Sequence, residues 1–280
     1  MAEAEDISMN KIVLFTDLDG TLLDEETYSA DLSLSALKEL QEKKIDVVFC
    51  SSKTRKEQEA IQQTLNVKDP FIVENGSAII IPPQTINIVG KYREDSDGTK
   101  LLVLGIYVEE LRTILSDITS RLGIVYQSFH DLSSEQIAQI TGLGLEEAKR
   151  AKSREFSETI VTKFNSKELR NFIYACESND LLCMFGGRFL SVIGKGADKG
   201  KAVRLLAEHY NSNFGEITTI GIGDSLNDAP MLQEVNYAYL VQRPNGQFRE
   251  LDLGNLNYVR AIGPLGFAKM VEDVKQRLQI

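Results

Sequence analysis

A chain of 280 residues, 42% hydrophobic and 26% charged, has the composition of a soluble globular protein long enough for one large domain or two modest ones. Its net charge of −10, with no basic stripe, argues against a nucleic-acid surface, and no apolar run approaches the length of a membrane span. The three cysteines, Cys50, Cys176 and Cys183, lack metal-ligand spacing and are expected as buried free thiols. The acidic stretch Met1 to Asn10 has no apolar core of the kind a signal peptide needs, so the expected compartment is the cytoplasm.

In chain order, Ile12-Val13-Leu14-Phe15 reads as a buried parallel strand running into Thr16-Asp17-Leu18-Asp19-Gly20-Thr21. Leu32, Leu34, Leu37 and Leu40 have helical spacing, Val47 to Ser52 make a second strand ending in a hydroxyl residue, Glu57 to Leu65 an amphipathic helix, and Phe71-Ile72-Val73 a third strand. This alternation predicts a doubly wound parallel sheet. Pro82-Pro83 breaks it, and residues 84–190 are expected as an inserted unit between core segments 11–83 and 191–280. Within the insertion the pattern predicts a strand at Leu101 to Leu104, helices over 108–122, 133–140, 145–151 and 167–177, and a strand at Thr159 to Thr162. A hairpin-like pair, Leu181 to Phe185 and Phe189 to Ile193, follows around Gly186-Gly187. The core resumes with a helix from Gly200 to Tyr210, a strand at Ile217 to Ile222, a short helix opening at Ala229-Pro230, and a terminal helix over 266–278.

Two of these strands deliver carboxylates to the C-terminal edge of the sheet, where open α/β folds bind ligands. Asp17 and Asp19 alternate along an extended segment and can converge on one small volume. Gly223-Asp224-Ser225-Leu226-Asn227-Asp228 repeats the arrangement. Carboxylates brought this close repel unless a cation or a shared proton holds them. Oxygen-only ligands favour Mg²⁺ over zinc. Taken singly, the first motif is equally a solvated turn, Asp228 an N-cap, and Lys199 part of a solvated cluster with Lys195 and Lys201.

Together these residues resemble the haloacid dehalogenase (HAD) superfamily of phosphotransferases. Asp17-Leu18-Asp19-Gly20-Thr21 matches its first motif, Ser51 its second, Lys199 its third and Gly223 to Asp228 its fourth, in the family's order. The resemblance implies a HAD core with an inserted α/β cap of the C2B type, and a Mg²⁺-dependent enzyme. It implies Asp17 as nucleophile, Asp19 as general acid and base, and Ser51 and Lys199 as ligands of the phosphoryl oxygens. It further implies a metal held by Asp17, the backbone carbonyl of Asp19 and Asp224, supported by Asn227 and Asp228.

Ser51 to Arg55, Arg154 to Glu158, Gly186 to Phe189 and the helical stretch Glu135 to Leu143 are similar to the mannosyl-3-phosphoglycerate phosphatase family. Ser51-Ser52-Lys53 departs from the Thr-Gly-Arg common in related phosphatases but keeps the hydroxyl. The substrate this implies is a small phosphorylated sugar-glycerate. Arg188 has a planar fork suited to its carboxylate, Gly187 would let it approach the backbone, and Arg154, Glu155 and Glu158 offer polar contacts to the sugar. Read alone, Arg154-Glu155 is equally a surface ion pair and Gly186-Gly187 a hairpin turn. A phosphosugar mutase, a phosphatase for another sugar phosphate, and a non-catalytic binding protein on the same scaffold remain as alternatives.

Overall fold

The computed structural model describes residues 10–186 and 188–280; Gly187 and residues 1–9, with the expectations placed on them, lie outside the described residues. The strand β1 (Ile12–Thr16) is followed by α1 (Leu34–Glu42), β2 (Asp46–Cys50), α2 (Arg55–Leu65), β3 (Phe71–Val73), β4 (Ala78–Ile81), β5 (Arg93–Glu94) and β6 (Lys100–Val103). An insertion carries α3 (Val108–Leu122), α4 (Ser134–Thr141), α5 (Leu145–Lys152), β7 (Ser157–Ile160), α6 (Ser166–Glu177), β8 (Leu181–Gly186) and β9 (Phe189–Gly194). The chain then continues through α7 (Lys199–Phe214), β10 (Thr218–Gly223), α8 (Ala229–Gln233), β11 (Tyr237–Gln242), β12 (Leu256–Ile262) and α9 (Gly263–Leu278).

The large sheet runs β12-β11-β10-β1-β2-β3-β4-β6-β5. From β12 to β3 every neighbouring pair is parallel, whereas β4, β6 and β5 add antiparallel pairings. All five residues of β1 are buried because helices cover both faces. Ile12 and Leu14 join a cluster with Leu37 of α1 and Phe267 of α9, while Val13 and Phe15 join Val203 and Leu206 of α7 on the other face. A buried central strand alternates between two apolar layers, which is why it reads as a continuous apolar run. One expectation changes here. The strand near Leu101, assigned from sequence to the insertion, bonds to β4 and extends the large sheet. Its apolar run does not record which sheet it joins.

The insertion forms its own three-stranded antiparallel sheet, β7-β9-β8. Leu111, Leu115 and Ile118 of α3 and Phe172 of α6 bury against Leu181, Leu190 and Val192 of that sheet. A smaller cluster joins Ile137 of α4 to Ala148 and Ala151 of α5. Both ends of α4 are legible: Ser133 and Gln136 form a capping box, and Gly142 takes a left-handed conformation at the C-terminus. Strand β7 begins at Ser157, two residues before the expected Thr159. Cys50 and Cys176 are buried, Cys183 is half-buried, and all three are free thiols. Among the described residues no helix is long and apolar enough to cross a membrane.

Candidate active site

The register of the sheet explains how distant carboxylates meet. Phe15 lies beside Gly221 of β10 and Val48 of β2, and Thr16 beside Ile222 and Phe49. Each strand ends one or two residues later, so Asp17, Ser51 and Asp224 emerge at one edge. Asp17 N–H donates to the carbonyl of Ile222 at 3.0 Å, carrying the ladder to the site itself.

The floor of the site is an ion-paired cluster. Lys199 Nζ donates to Asp17 Oδ1 at 2.7 Å and to Asp228 Oδ1 at 2.7 Å, with its side chain 0% exposed. Lys199 opens α7, whose first turn is set by Asp198 accepting from the Gly200 and Lys201 N–H groups. Asp228 turns its other oxygen back onto its own loop, accepting from the N–H of Asp224 at 3.1 Å and of Ser225 at 3.0 Å. That return requires glycine at 223, where a Cβ would stand 2.5 Å from Asp228 Cβ. Asp228 is therefore the loop's organiser as well as a partner of Lys199.

Carboxylate oxygens of Asp17, Asp224 and Asp228 lie within 4.8 Å of one another. Burial, then the charge of Asp228, pushes the pKa of Asp17 up to about 7 despite Lys199. Burial and the charges of Asp228 and Asp17 push Asp224 up to about 8. Lys199 serves Asp17 and Asp228, and Arg243 stands 3.6 Å from Asp224, so three buried carboxylates face two cations and the site is short of positive charge. An all-oxygen donor set with that deficit fits a hard divalent cation such as Mg²⁺. Asp228, expected only as support, joins this cluster, while Asp19, whose backbone carbonyl is the expected ligand, sends its carboxylate to Lys53 Nζ at 2.9 Å. Its second oxygen, Oδ1, is buried without a hydrogen-bond partner. Gly20, at φ +74°, lets the chain turn here, and a Cβ on it would stand 3.3 Å from the Asp224 carboxyl.

Ser51 is buried at the end of β2, its Oγ accepting from Lys53 N–H at 3.3 Å. Asn227 reaches Asn75 Oδ1 at 3.4 Å, tying the fourth motif to the turn after β3. Between core and insertion lies a cavity of about 490 Å³ that Asp17, Asp19, Lys53 and Asp224 line from below and Arg154, Phe185 and Arg188 from above.

The cap residues singled out from sequence do not all face this cavity. Arg154 does, with Nη1 donating to Ser157 Oγ at 2.9 Å and to the Ser52 carbonyl at 3.3 Å. Arg188 also borders it, exposed, with Nη2 donating to the Thr141 carbonyl at 2.8 Å. Glu158 is instead buried against Arg112, whose Nε donates to it at 2.6 Å. Alternation along β7 turns that side chain away from the cavity that Thr159 lines. Glu155 lies beside Arg55 and Arg93 rather than in the cavity, and burial raises its pKa.

Sequence reasoning missed Glu74, the role of Lys53, and Arg243, which follows β11 and borders the cavity 3.6 Å from Asp224. Glu74 is wholly buried in the core and accepts from the Glu155 N–H at 2.9 Å, the Phe156 N–H at 3.1 Å and the Ser157 hydroxyl, tying the cap to the core. Lys53, beyond its bond to Asp19, sits 4.9 Å above the Tyr28 ring. The position of Lys53 just past Ser51 was a usable signal; Glu74 and Arg243 carried none.

Residues 14–247 match the model of the haloacid dehalogenase-like hydrolases. The glucosyl-3-phosphoglycerate/mannosyl-3-phosphoglycerate phosphatase of Methanococcoides burtonii is 39% identical, the alignment covering 94% of this chain and 97% of that protein. The mannosyl-3-phosphoglycerate phosphatase of Pyrococcus furiosus is 36% identical over 89% of this chain and 97% of its own. Among solved structures, a HAD-superfamily phosphatase of Bacteroides thetaiotaomicron has a TM-score of 0.67 at 18% identity, covering 99% of this chain and 98% of its own. A HAD subclass IIB sugar phosphatase scores 0.63 at 18% identity, covering 96% of this chain and 100% of its own. With its ordered motifs joined at one sheet edge under an inserted cap, the chain belongs to the haloacid dehalogenase-like hydrolases, as a phosphoric monoester hydrolase resembling the mannosyl-3-phosphoglycerate phosphatases.

Proposed function

We propose that this enzyme hydrolyses a glycosyl-3-phosphoglycerate, with mannose or glucose as the sugar, to the glycosylglycerate and inorganic phosphate in the cytoplasm. The observation that carries the reading is the Asp17 carboxylate on the cavity floor, held by Lys199 beside the unpartnered Asp19 Oδ1. The names of the relatives from M. burtonii and P. furiosus support the substrate.

Asp17 attacks phosphorus, a P–O bond forms to its carboxylate, and the bond to the glycerate oxygen breaks. Asp19 gives that leaving oxygen a proton, then takes one from the water that opens the aspartyl-phosphate and returns Asp17 as a carboxylate. Lys199 places a positive charge on the transferring phosphoryl oxygens, and Ser51 offers them its hydroxyl. Asp17, Asp224 and the carbonyl of Asp19 would hold Mg²⁺, which when bound screens the repulsion between carboxylate and phosphate. Asn227 and Asp228 keep the loop carrying Asp224 in place.

Phosphate release from mannosyl- and glucosyl-3-phosphoglycerate, mannose 6-phosphate and glucose 6-phosphate tests the reading. The two phosphoglycerate esters should be the better substrates by kcat/KM. Faster release from the hexose phosphates, or transfer of phosphate to a sugar in place of release, would overturn it.

A further inference from the structure

A phosphoglycerate ester carries two anionic groups on one three-carbon chain, and each needs a cation. The phosphate has Lys199. Four bonds separate phosphorus from the carboxylate carbon, about 5 Å when extended at ordinary bond lengths. In-line displacement sends the glycerate oxygen away from Asp17, so the cation that reads the carboxylate has to border the cavity within reach of this short chain. Lys53 is engaged by Asp19, and Arg154 is held through Nη1 by Ser157 and the Ser52 carbonyl, although its Nε, too, is buried without a partner. Arg188, which sequence reasoning favoured, comes from the cap and is bonded to the Thr141 carbonyl.

Arg243 is placed differently. It is the first residue after β11, the strand beside β10, so it leaves the sheet at the same edge as Asp224. Its Nε lies 3.6 Å from Asp224 Oδ2 and its Nη2 3.8 Å from Glu25 Oε1, ion-pair distances too long for hydrogen bonds. Nε is buried and has no hydrogen-bond partner. The backbone beneath it is held in a turn, Arg243 N–H donating to the Gln247 carbonyl at 2.9 Å and its carbonyl accepting from Gly246 N–H at 2.8 Å. A guanidinium has five donors in a rigid fork. Here that fork borders the cavity, positioned by two carboxylates that leave its donors unused.

We propose that Arg243 is a specificity-determining residue that takes the carboxylate standing on the same three-carbon chain as the phosphate. This rests on the phosphoglycerate reading above and moves carboxylate recognition from the cap to the core. Charge-assisted bonding to a planar carboxylate is the interaction an arginine fork supplies and a lysine supplies less well.

The test uses the full chain with Mg²⁺ and compares kcat/KM for glucosyl-3-phosphoglycerate with that for glycerol 3-phosphate, which has no carboxylate. Inhibition by 3-phosphoglycerate against glycerol 3-phosphate is measured alongside. In Arg243→Gln the preference for the carboxylate-bearing ester should fall by roughly ten- to a hundredfold, mainly through KM, and the inhibitor preference should fall with it. Arg243→Lys, which keeps the charge, should fall between wild type and Arg243→Gln and gives a second reading if the glutamine variant fails to fold. A preference retained in both variants, or lost instead in Arg188→Gln or in Arg249→Gln, a further arginine bordering the cavity, overturns the assignment to Arg243. A wild type without any preference for the carboxylate-bearing ester overturns the phosphoglycerate reading itself, and this inference with it.

Discussion

The floor of the cavity and the cap wall above it are built on opposite terms. On the floor, Lys199, Asp17 and Asp228 are buried and cross-bonded at 2.7 Å, and Asp228 is further fixed by its own loop. On the wall, Phe185 is 64% exposed near the tip of the β8–β9 hairpin, and Arg188 is exposed beside it. Groups that stabilise a transition state gain from being oriented before the reaction starts. Groups that recognise a substrate keep donors and apolar surface open until it arrives. The difference separates a charge cluster oriented in advance from a surface left open to what enters the cavity.

Three measurements bear on that contrast. The largest effect should come from the floor. Asp17→Asn removes the nucleophile, because an amide does not form the acyl-phosphate, and should lower kcat by about 10⁴-fold or more while leaving the circular dichroism spectrum unchanged. Trapping the wild type with beryllium fluoride should place the adduct on Asp17. Turnover near wild type in Asp17→Asn would break the assignment.

Next comes the charge deficit. Asp17 and Asp224 have pKa values of about 7 and about 8, above the ordinary 3.8, chiefly through burial. Without metal the folded state therefore binds more protons than the unfolded chain between these limits. The stabilisation from those protons is full below the unfolded value and is lost as pH rises through the folded ones. A divalent cation competes with the same protons. EDTA should abolish phosphate release and Mg²⁺ should restore it. The rise in Tm on adding Mg²⁺ to the chelated protein should grow from about pH 5 to about pH 8. A Tm rise independent of pH would place the cation away from these carboxylates.

The smallest effect sharpens the boundary of the wall. Glu158, expected from sequence at the sugar, is buried on Arg112 instead. Glu158→Gln should cost about 1–3 kcal/mol in stability, as for a weakened bond to a charged group, with the preference among sugar phosphates unaltered. A changed preference with unchanged denaturation midpoint would return Glu158 to the recognition surface.

The parts of the fold read correctly from sequence share a cause. Buried parallel strands are continuous apolar runs, and α4 carries its own start and stop signals in Ser133, Gln136 and Gly142. The errors share one as well. Strand β6 looks the same whichever sheet it joins, and a two-residue shift in the start of β7 leaves its pattern unremarkable. On β7, direction mattered more than extent: Glu158 and Thr159 are adjacent, yet Thr159 lines the cavity and Glu158 does not.

By itself the sequence determined which residues leave the strands at the catalytic edge, since an apolar run followed by Asp17 or by Gly223-Asp224 is a local pattern. Tertiary structure decided which of them meet. Strand order set β10 beside β1 across some two hundred residues of chain, and that adjacency drew Asp228 into the carboxylate cluster while Asp19 turned to Lys53. The same strand order brought Arg243 off β11 to the side of Asp224. Which carboxylates lie near which cations depends on contacts between segments far apart in the chain, and no local spacing encodes them.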